Sequence, residues 1–127
     1  MITHMPLHTA RNADFTYAGL HITMNETWQK LLFNGRTIPL TPTEYRLCVA
    51  FFQQYLSENK KPIMHHDTWI MLSYINTTKL QMRIGLASKQ LLRKHISNTN
   101  GKLAPFALQI KTFEQGYILL INTPQES

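Results

Sequence analysis

The sequence predicts an α+β domain: an antiparallel sheet first, then three helices, then a closing pair of strands. Three observations carry that expectation. Residues 15–40 show apolar side chains recurring with a period of two, as half-buried strands do. From Thr41 a capping signal opens an apolar stripe at helical spacing, and helical spacing recurs as far as residue 97. From Phe106 onward two short apolar runs return, separated by a polar tip that contains glycine. The chain has 127 residues, one domain's worth, enough to bury a core without disulfides or metals.

The elements follow in order. Residues 1–14 are polar and are read as a loosely ordered leader, 15–121 as the domain, and 122–127 as a tail. Phe15-Thr16-Tyr17 is a short strand that breaks at Gly19. Leu20-His21-Ile22-Thr23-Met24 alternates apolar and polar, so it forms the second strand. Asn25-Glu26 turns the chain, and 28–33 is the third strand. Asn34-Gly35 is a strong hairpin signal, because both residues accept positive φ. The fourth strand, 36–40, completes a four-stranded antiparallel sheet. Thr41-Pro42-Thr43-Glu44 then opens the first helix: Thr41 caps, Pro42 suits the first helical position, and Glu44 completes a capping box. Tyr45, Leu47, Cys48, Phe51, Phe52 and Tyr55 form its apolar stripe, and it fades near 57–60.

Pro62-Ile63-Met64 reads as an extended link. Asp67 reads as the first-turn acid of a second helix carrying Trp69, Ile70, Leu72 and Tyr74. Asn76-Thr77-Thr78 ends it and caps a third helix over 79–97. At about 100° per residue, Leu80, Ile84, Ser88, Leu91, Leu92, His95 and Ile96 share one side of that helix. Lys79, Met82, Arg83, Leu86, Lys89, Gln90, Arg93 and Lys94 share the other. Residues 98–105 read as a loop, 106–110 and 117–121 as strands, and 112–116 as the tip between them. Trp28 and Trp69 are expected in the core, and Phe113 and Tyr117 are expected to anchor the last hairpin.

Charge narrows the function. The net charge is +6. Residues 1–67 hold six basic residues (Arg11, Lys30, Arg36, Arg46, Lys60, Lys61) and five acids that nearly cancel them. Residues 68–113 hold seven basic residues, Lys79, Arg83, Lys89, Arg93, Lys94, Lys102 and Lys111, and no acid. One-sided charge of this kind suits a surface that faces phosphates. Taken alone, it equally suits a solvated cationic face. No apolar run is long enough to span a bilayer, and the first residues lack the order of a signal peptide. Cys48 is the only cysteine and sits inside an apolar helical pattern, so it reads as a buried, inert thiol. A cytoplasmic, nucleoid-associated protein is the expectation. No Ser-His-Asp set, carboxylate pair, phosphate-binding glycine loop or zinc spacing emerges, so neither an enzyme nor a cofactor or metal protein is expected. His65-His66 reads as a helix entry, and His95 as a packed, hydrogen-bonded histidine.

A sheet, a helix pair, a third helix and a terminal hairpin is the layout of a winged helix-turn-helix. Four stretches give the chain a likeness to one family. Residues 31–40 (LLFNGRTIPL) look like a hairpin leading into a first helix, and Leu40-Thr41-Pro42-Thr43-Glu44-Tyr45-Arg46-Leu47 like that helix's signature. Leu92-Arg93-Lys94 and Ile110-Lys111-Thr112-Phe113…Gly116-Tyr117 look like the end of a recognition helix and a closing wing. On these residues the chain resembles the OmpR/PhoB-type winged-helix effector domains of bacterial response regulators over about 15–121. The resemblance implies a third helix in a DNA major groove and a wing on the backbone. The DNA-binding residues it and the charge pattern point to are Lys79, Arg83, Lys89, Gln90, Arg93, Lys94, Lys111 and Thr112. It also implies that loop 72–78 meets RNA polymerase, and a homodimer on repeated half-sites is a further expectation. Three departures accompany it. The wing is one residue short, and Glu114 stands where an Arg is common. No receiver domain accompanies the sheet, and with only Asp14 and Asp67 available no acidic cluster could take a phosphoryl group. The chain is therefore read as an orphan effector or a piece of a longer protein. The competing expectation is a protein-interaction module on the same scaffold, motivated by Glu114, the short wing and the exposed Met82 and Leu86.

Overall fold

The computed structural model describes residues 13–17, 19–58 and 63–123. Four strands open it: β1 (Ala13–Tyr17), β2 (Leu20–Asn25), β3 (Lys30–Phe33) and β4 (Arg36–Ile38). They form an antiparallel sheet in that order. The period-two pattern decides its register. Ile22 lies opposite Phe33, and Met24 opposite Leu31, so all four side chains share the buried face. Asn34 (φ 52°) and Gly35 (φ 82°) make the β3–β4 turn that their sequence called for. β1 begins at Ala13, so the leader expected over 1–14 is shorter at its C-terminal end, and 1–12 lie outside the described residues.

Helix α1 spans Pro42–Ser57. Its capping box is complete: the Glu44 amide donates to Thr41 Oγ1 at 3.2 Å, and the Thr41 amide donates to Glu44 Oε1 at 3.0 Å. Leu47, Phe51 and Phe52 bury one side, and Phe52 meets Phe33 and Phe15 edge-on at 6.1 and 5.7 Å. Cys48 is buried beside them. Burial, with the nearby Glu44 charge, pushes its thiol up to about 12, so it stays protonated.

The second helix expected from Asp67 is instead a β-hairpin, β5 (Ile63–His66) and β6 (Trp69–Asn76). Asp67 sits in its turn with φ 52°, not in a helical first turn. A short apolar run rich in bulky side chains fits a buried strand as well as a helix, and neighbours decide between them. Here β6 lies between β5 and β8 and is paired on both edges, and Ser73 donates its hydroxyl to Phe51 O of α1 at 2.9 Å. The tryptophans depart from expectation too. Trp28 is 70% exposed at the β2–β3 turn, and Trp69 is only half-buried.

The long third helix divides. Helix α2 covers Thr77–Ile84, and α3 covers Lys89–Leu103. Gly85 adopts a left-handed conformation (φ 74°) that closes α2, and Ser88 caps α3 by accepting the Leu91 amide. The supposed loop over 98–105 is largely helix. Thr99 and Leu103 continue the buried stripe of Leu92 and Ile96. A single 3₁₀ turn, Ala104–Phe106, then leads into β7 (Leu108–Phe113), and a two-residue tip, Glu114-Gln115, leads into β8 (Gly116–Asn122). The second sheet runs β5-β6-β8-β7. Tyr117 is buried and Phe113 packs edge-on to Tyr74 at 6.2 Å, so both hold the hairpin as expected.

One ion pair joins the helices. Lys102 Nζ, on the last turn of α3, lies 2.6 Å from Glu44 Oε1, at the start of α1, and the Glu44 side chain is 4% exposed. Burial works to raise the Glu44 pKa. The hydrogen bonds from Lys102 and Thr41, and the Lys102 charge, outweigh it, so the group titrates below its ordinary range. A carboxylate lowered in the fold stabilises at pH values above its ordinary pKa, and that contribution is lost as pH falls through the lowered value. Lys102→Met leaves Glu44 buried without its cation. It should cost about 2 kcal/mol at neutral pH and shrink the loss of stability on acidification. Urea unfolding from neutral to acidic pH checks both.

Candidate nucleic-acid interface

Two helices joined by the four-residue link 85–88, followed by a strand pair, set the geometry of the basic region. Short α2 packs on the core through Leu80 and Ile84. Fifteen-residue α3 buries Leu92, Ile96, Thr99 and Leu103 along one stripe. The opposite side is exposed: Lys89, Gln90, Arg93 and Lys94 in the first two turns, then Ser97 and Asn98. These first four are sequence-predicted residues, and the structure gathers them on one outward flank.

Lys111 and Thr112 are both exposed on β7, but strand alternation separates them: Thr112 shares the Ile110 face beside α3, and Lys111 projects from the opposite face, so the structure does not bring Lys111 to the α3 groove. Between the two elements runs a groove of about 270 Å³ lined by Arg93, Ile96, Ser97, Asn100, Ile110, Thr112 and Tyr117. Arg93 and Thr112, nineteen positions apart in sequence, therefore share one groove. The Asn100 side chain donates to Ile110 O at 2.8 Å and accepts from Ile110 N at 2.7 Å, tying helix to strand.

Lys79 and Arg83 sit elsewhere. Both belong to α2, so Arg83 is not an early residue of the long basic helix but lies in the last turn of the preceding one. Its guanidinium donates to Gln53 and Gln54 of α1 at 3.3 Å each. Lys79 lines a recess with Arg83, Gln54, Glu58 and Tyr74. The reason is the break at Gly85: it resets the helical phase, so one helical wheel cannot describe both segments. The same reset leaves Leu91, expected buried, 46% exposed. His95 is half-buried, and its Nδ1 is buried without a hydrogen-bond partner, against the expected satisfied histidine. Leu92-Arg93-Lys94 stands at the start of α3 and not near its end. Residues 72–78 are no loop; they are the end of β6 and the start of α2, so the segment proposed to meet RNA polymerase is not available in that form. His65 and His66 belong to β5, and His66 lies 3.0 Å from Asp67.

Sequence reasoning missed Asn98 and the strand-tying Asn100 because it ended the helix at 97, and it left Ser97, the last residue of that helix, on neither face. The signal was present: Ile96, Thr99 and Leu103 keep helical spacing across the supposed loop.

Electrostatically the flank is unopposed. Among the described residues the ion pairs join His21 to Asp14, His66 to Asp67 and Lys102 to Glu44, and none engages Lys89, Arg93, Lys94 or Lys111. The nearest counter-charge in sequence is Glu114, exposed at the β7–β8 tip with φ 55°. That tip is tethered, since both the amide and hydroxyl of Thr77 donate to Gln115 O at 3.1 Å. Among the described residues no helix is long and apolar enough to cross a membrane, and no three His, Cys, Asp or Glu side chains converge as metal ligands. No protein-family profile and no curated protein sequence matches the chain.

Proposed function

We propose that this chain is a sequence-specific, duplex-DNA-binding transcriptional regulator of the OmpR/PhoB winged-helix kind. In this reading α3 enters the major groove, and β7 holds the backbone beside it. One observation carries it: the exposed flank of α3 presents Lys89, Gln90, Arg93 and Lys94 with no ion-pair partner among the described residues, and its Arg93 shares a groove with Thr112 of β7. Cations with freedom from internal pairing are free to release counterions from phosphates. Arg or Lys can read guanine, and Gln adenine, from the major-groove side. The scale also fits, because α3 is about 22 Å long and a major groove about 12 Å wide admits one helix. A short helix, a tight link containing glycine and a longer helix is the order such readers use.

Lys79 and Arg83 are assigned a secondary role on flanking phosphate, since α2 carries them away from the α3 flank. Limited interface area on one small module favours two copies on repeated half-sites. The test is a selection from random duplexes at moderate salt. It should return an enriched motif, and affinity for that motif should fall steeply as salt rises. A selection that returns no motif overturns the proposal.

A second reading, protein docking, is favoured by Met82, which is 77% exposed and lines a surface recess with Thr78, Gln81, Gly85, Leu86 and Ala87. It gains ground only if that selection fails.

Glu114 offers a gain-of-function check. In the proposed pose it meets phosphate with the wrong sign. Glu114→Lys should raise duplex affinity roughly threefold to tenfold at low salt and steepen the salt dependence by about one unit of slope. Fluorescence anisotropy over a salt series reads both quantities, and an unchanged slope would remove the wing tip from the interface.

A further inference from the structure

We infer that Asn100 is the positioning residue that makes α3 and β7 a single rigid reader, so that the chain discriminates between duplex sequences instead of merely adhering to phosphate. This rests on the DNA-binding proposal above. β7 is an edge strand of its sheet, so every second residue turns an N–H and a C=O away from β8. At Ile110 both groups are taken by one side chain. Asn100 Nδ2 donates to Ile110 O at 2.8 Å, and Asn100 Oδ1 accepts from Ile110 N at 2.7 Å. The amide stands in for the missing neighbouring strand. Two opposed hydrogen bonds fix direction as well as distance: α3 cannot slide along β7 or roll against it without breaking one.

What the clamp holds is the candidate interface. Arg93 and Ser97 lie along the same flank of α3 as Asn100, and Thr112 lies two residues beyond Ile110 on β7. Asparagine is a poor helix former, and its neighbour Gly101 is worse, so this stretch of α3 is not built for helix propensity. A clamp to β7 accounts for the first of them. Base contacts demand hydrogen-bond geometry, while phosphate contacts by long flexible cations tolerate displacement. A loosened reader therefore keeps its general affinity for duplex and loses its preference.

The experiment compares the full chain with Asn100→Leu, a near match in shape without hydrogen bonds, and Asn100→Ala. Each is titrated by anisotropy against the selected duplex and a scrambled duplex of equal length, over a salt series, below the unfolding temperature. The expected result is at least a tenfold loss of affinity for the selected duplex. Affinity for the scrambled duplex should stay within about twofold, with an unchanged salt slope. Equal losses on both duplexes, or no loss on either, overturn the inference. Should both variants unfold, amide exchange in the unaltered chain decides: the Ile110 N–H should exchange more slowly than the Thr112 N–H on the same edge, and equal rates overturn the clamp. An unaltered chain that binds neither duplex overturns the DNA-binding proposal itself, and this inference with it.

Discussion

Reversing both cations in the middle of the exposed flank, Arg93→Glu with Lys94→Glu, should lower affinity for the selected duplex by two to three orders of magnitude. The size follows from position. Both side chains are exposed in the second turn of α3, and neither is engaged by an acidic side chain among the described residues. Removing one base or phosphate contact costs about 1–3 kcal/mol. Placing an anion against phosphate adds repulsion, which salt relieves. The doubly reversed chain should therefore show a flatter dependence of binding on salt. Its fold should be untouched, because both positions are solvent-facing and the buried stripe of α3 does not include them. An unfolding midpoint within a degree or two of the parent, with binding gone, is the expected pair of results. Retention of binding would exclude α3 as the reader, whatever else the chain does.

Gly116→Ala should have the largest effect on stability. Gly116 opens β8 and lies opposite Asn76 at the end of β6. A Cβ built there would collide with Ile75 O and come within 2.9 Å of Asn76 Cα and of the Tyr74 ring. Two of those neighbours are main chain of β6, held there by its pairing with β8 and by the start of α2 at Thr77, so they cannot swing away as a flexible side chain would. Relief requires β6 and β8 to part at the point where the β7–β8 tip is tethered to Thr77. The cost should be about 3 kcal/mol or more. For a domain of this size that is a drop of roughly 10 °C in the unfolding midpoint. Gly101 supplies the contrast. It lies within α3, and a Cβ there meets nothing within 4 Å. Gly101→Ala should therefore stabilise by about 0.5–1 kcal/mol. If the two variants shift the midpoint alike, close approach at Gly116 is not what the glycine provides.

The first half of the fold was legible because its signals were local. Period-two alternation, Asn34-Gly35 and Thr41-Pro42-Thr43-Glu44 each specify geometry within a few residues, and the sheet and α1 followed. Residues 65–76 were misread because their conformation depends on partners far away in sequence. Trp69 to Asn76 is a strand because β8, some forty residues later, pairs with it, and an apolar run alone does not announce a partner. The division of α2 from α3 was written in Gly85 and Ser88, but a helical wheel drawn straight through them placed Leu91 inside and grouped Arg83 with Arg93. The candidate site was partly legible. Composition located the cations of α3; it also singled out Lys111 of β7, which strand alternation turns away from the α3 groove. It could not show that Arg83 would be taken up by two glutamines of α1, nor that Asn100 would reach a main chain ten residues on, since both depend on packing between elements.

Asn76 is at once the last residue of β6 and the cap of α2, whose Thr78 amide it accepts at 2.9 Å. No slack separates sheet from helix there. A joint without spare chain transmits torque, so a twist imposed on the second sheet must turn the helix pair with it. Any force reaching this domain through the second sheet would then reorient the two helices together, and not let one of them swing on a pivot of its own.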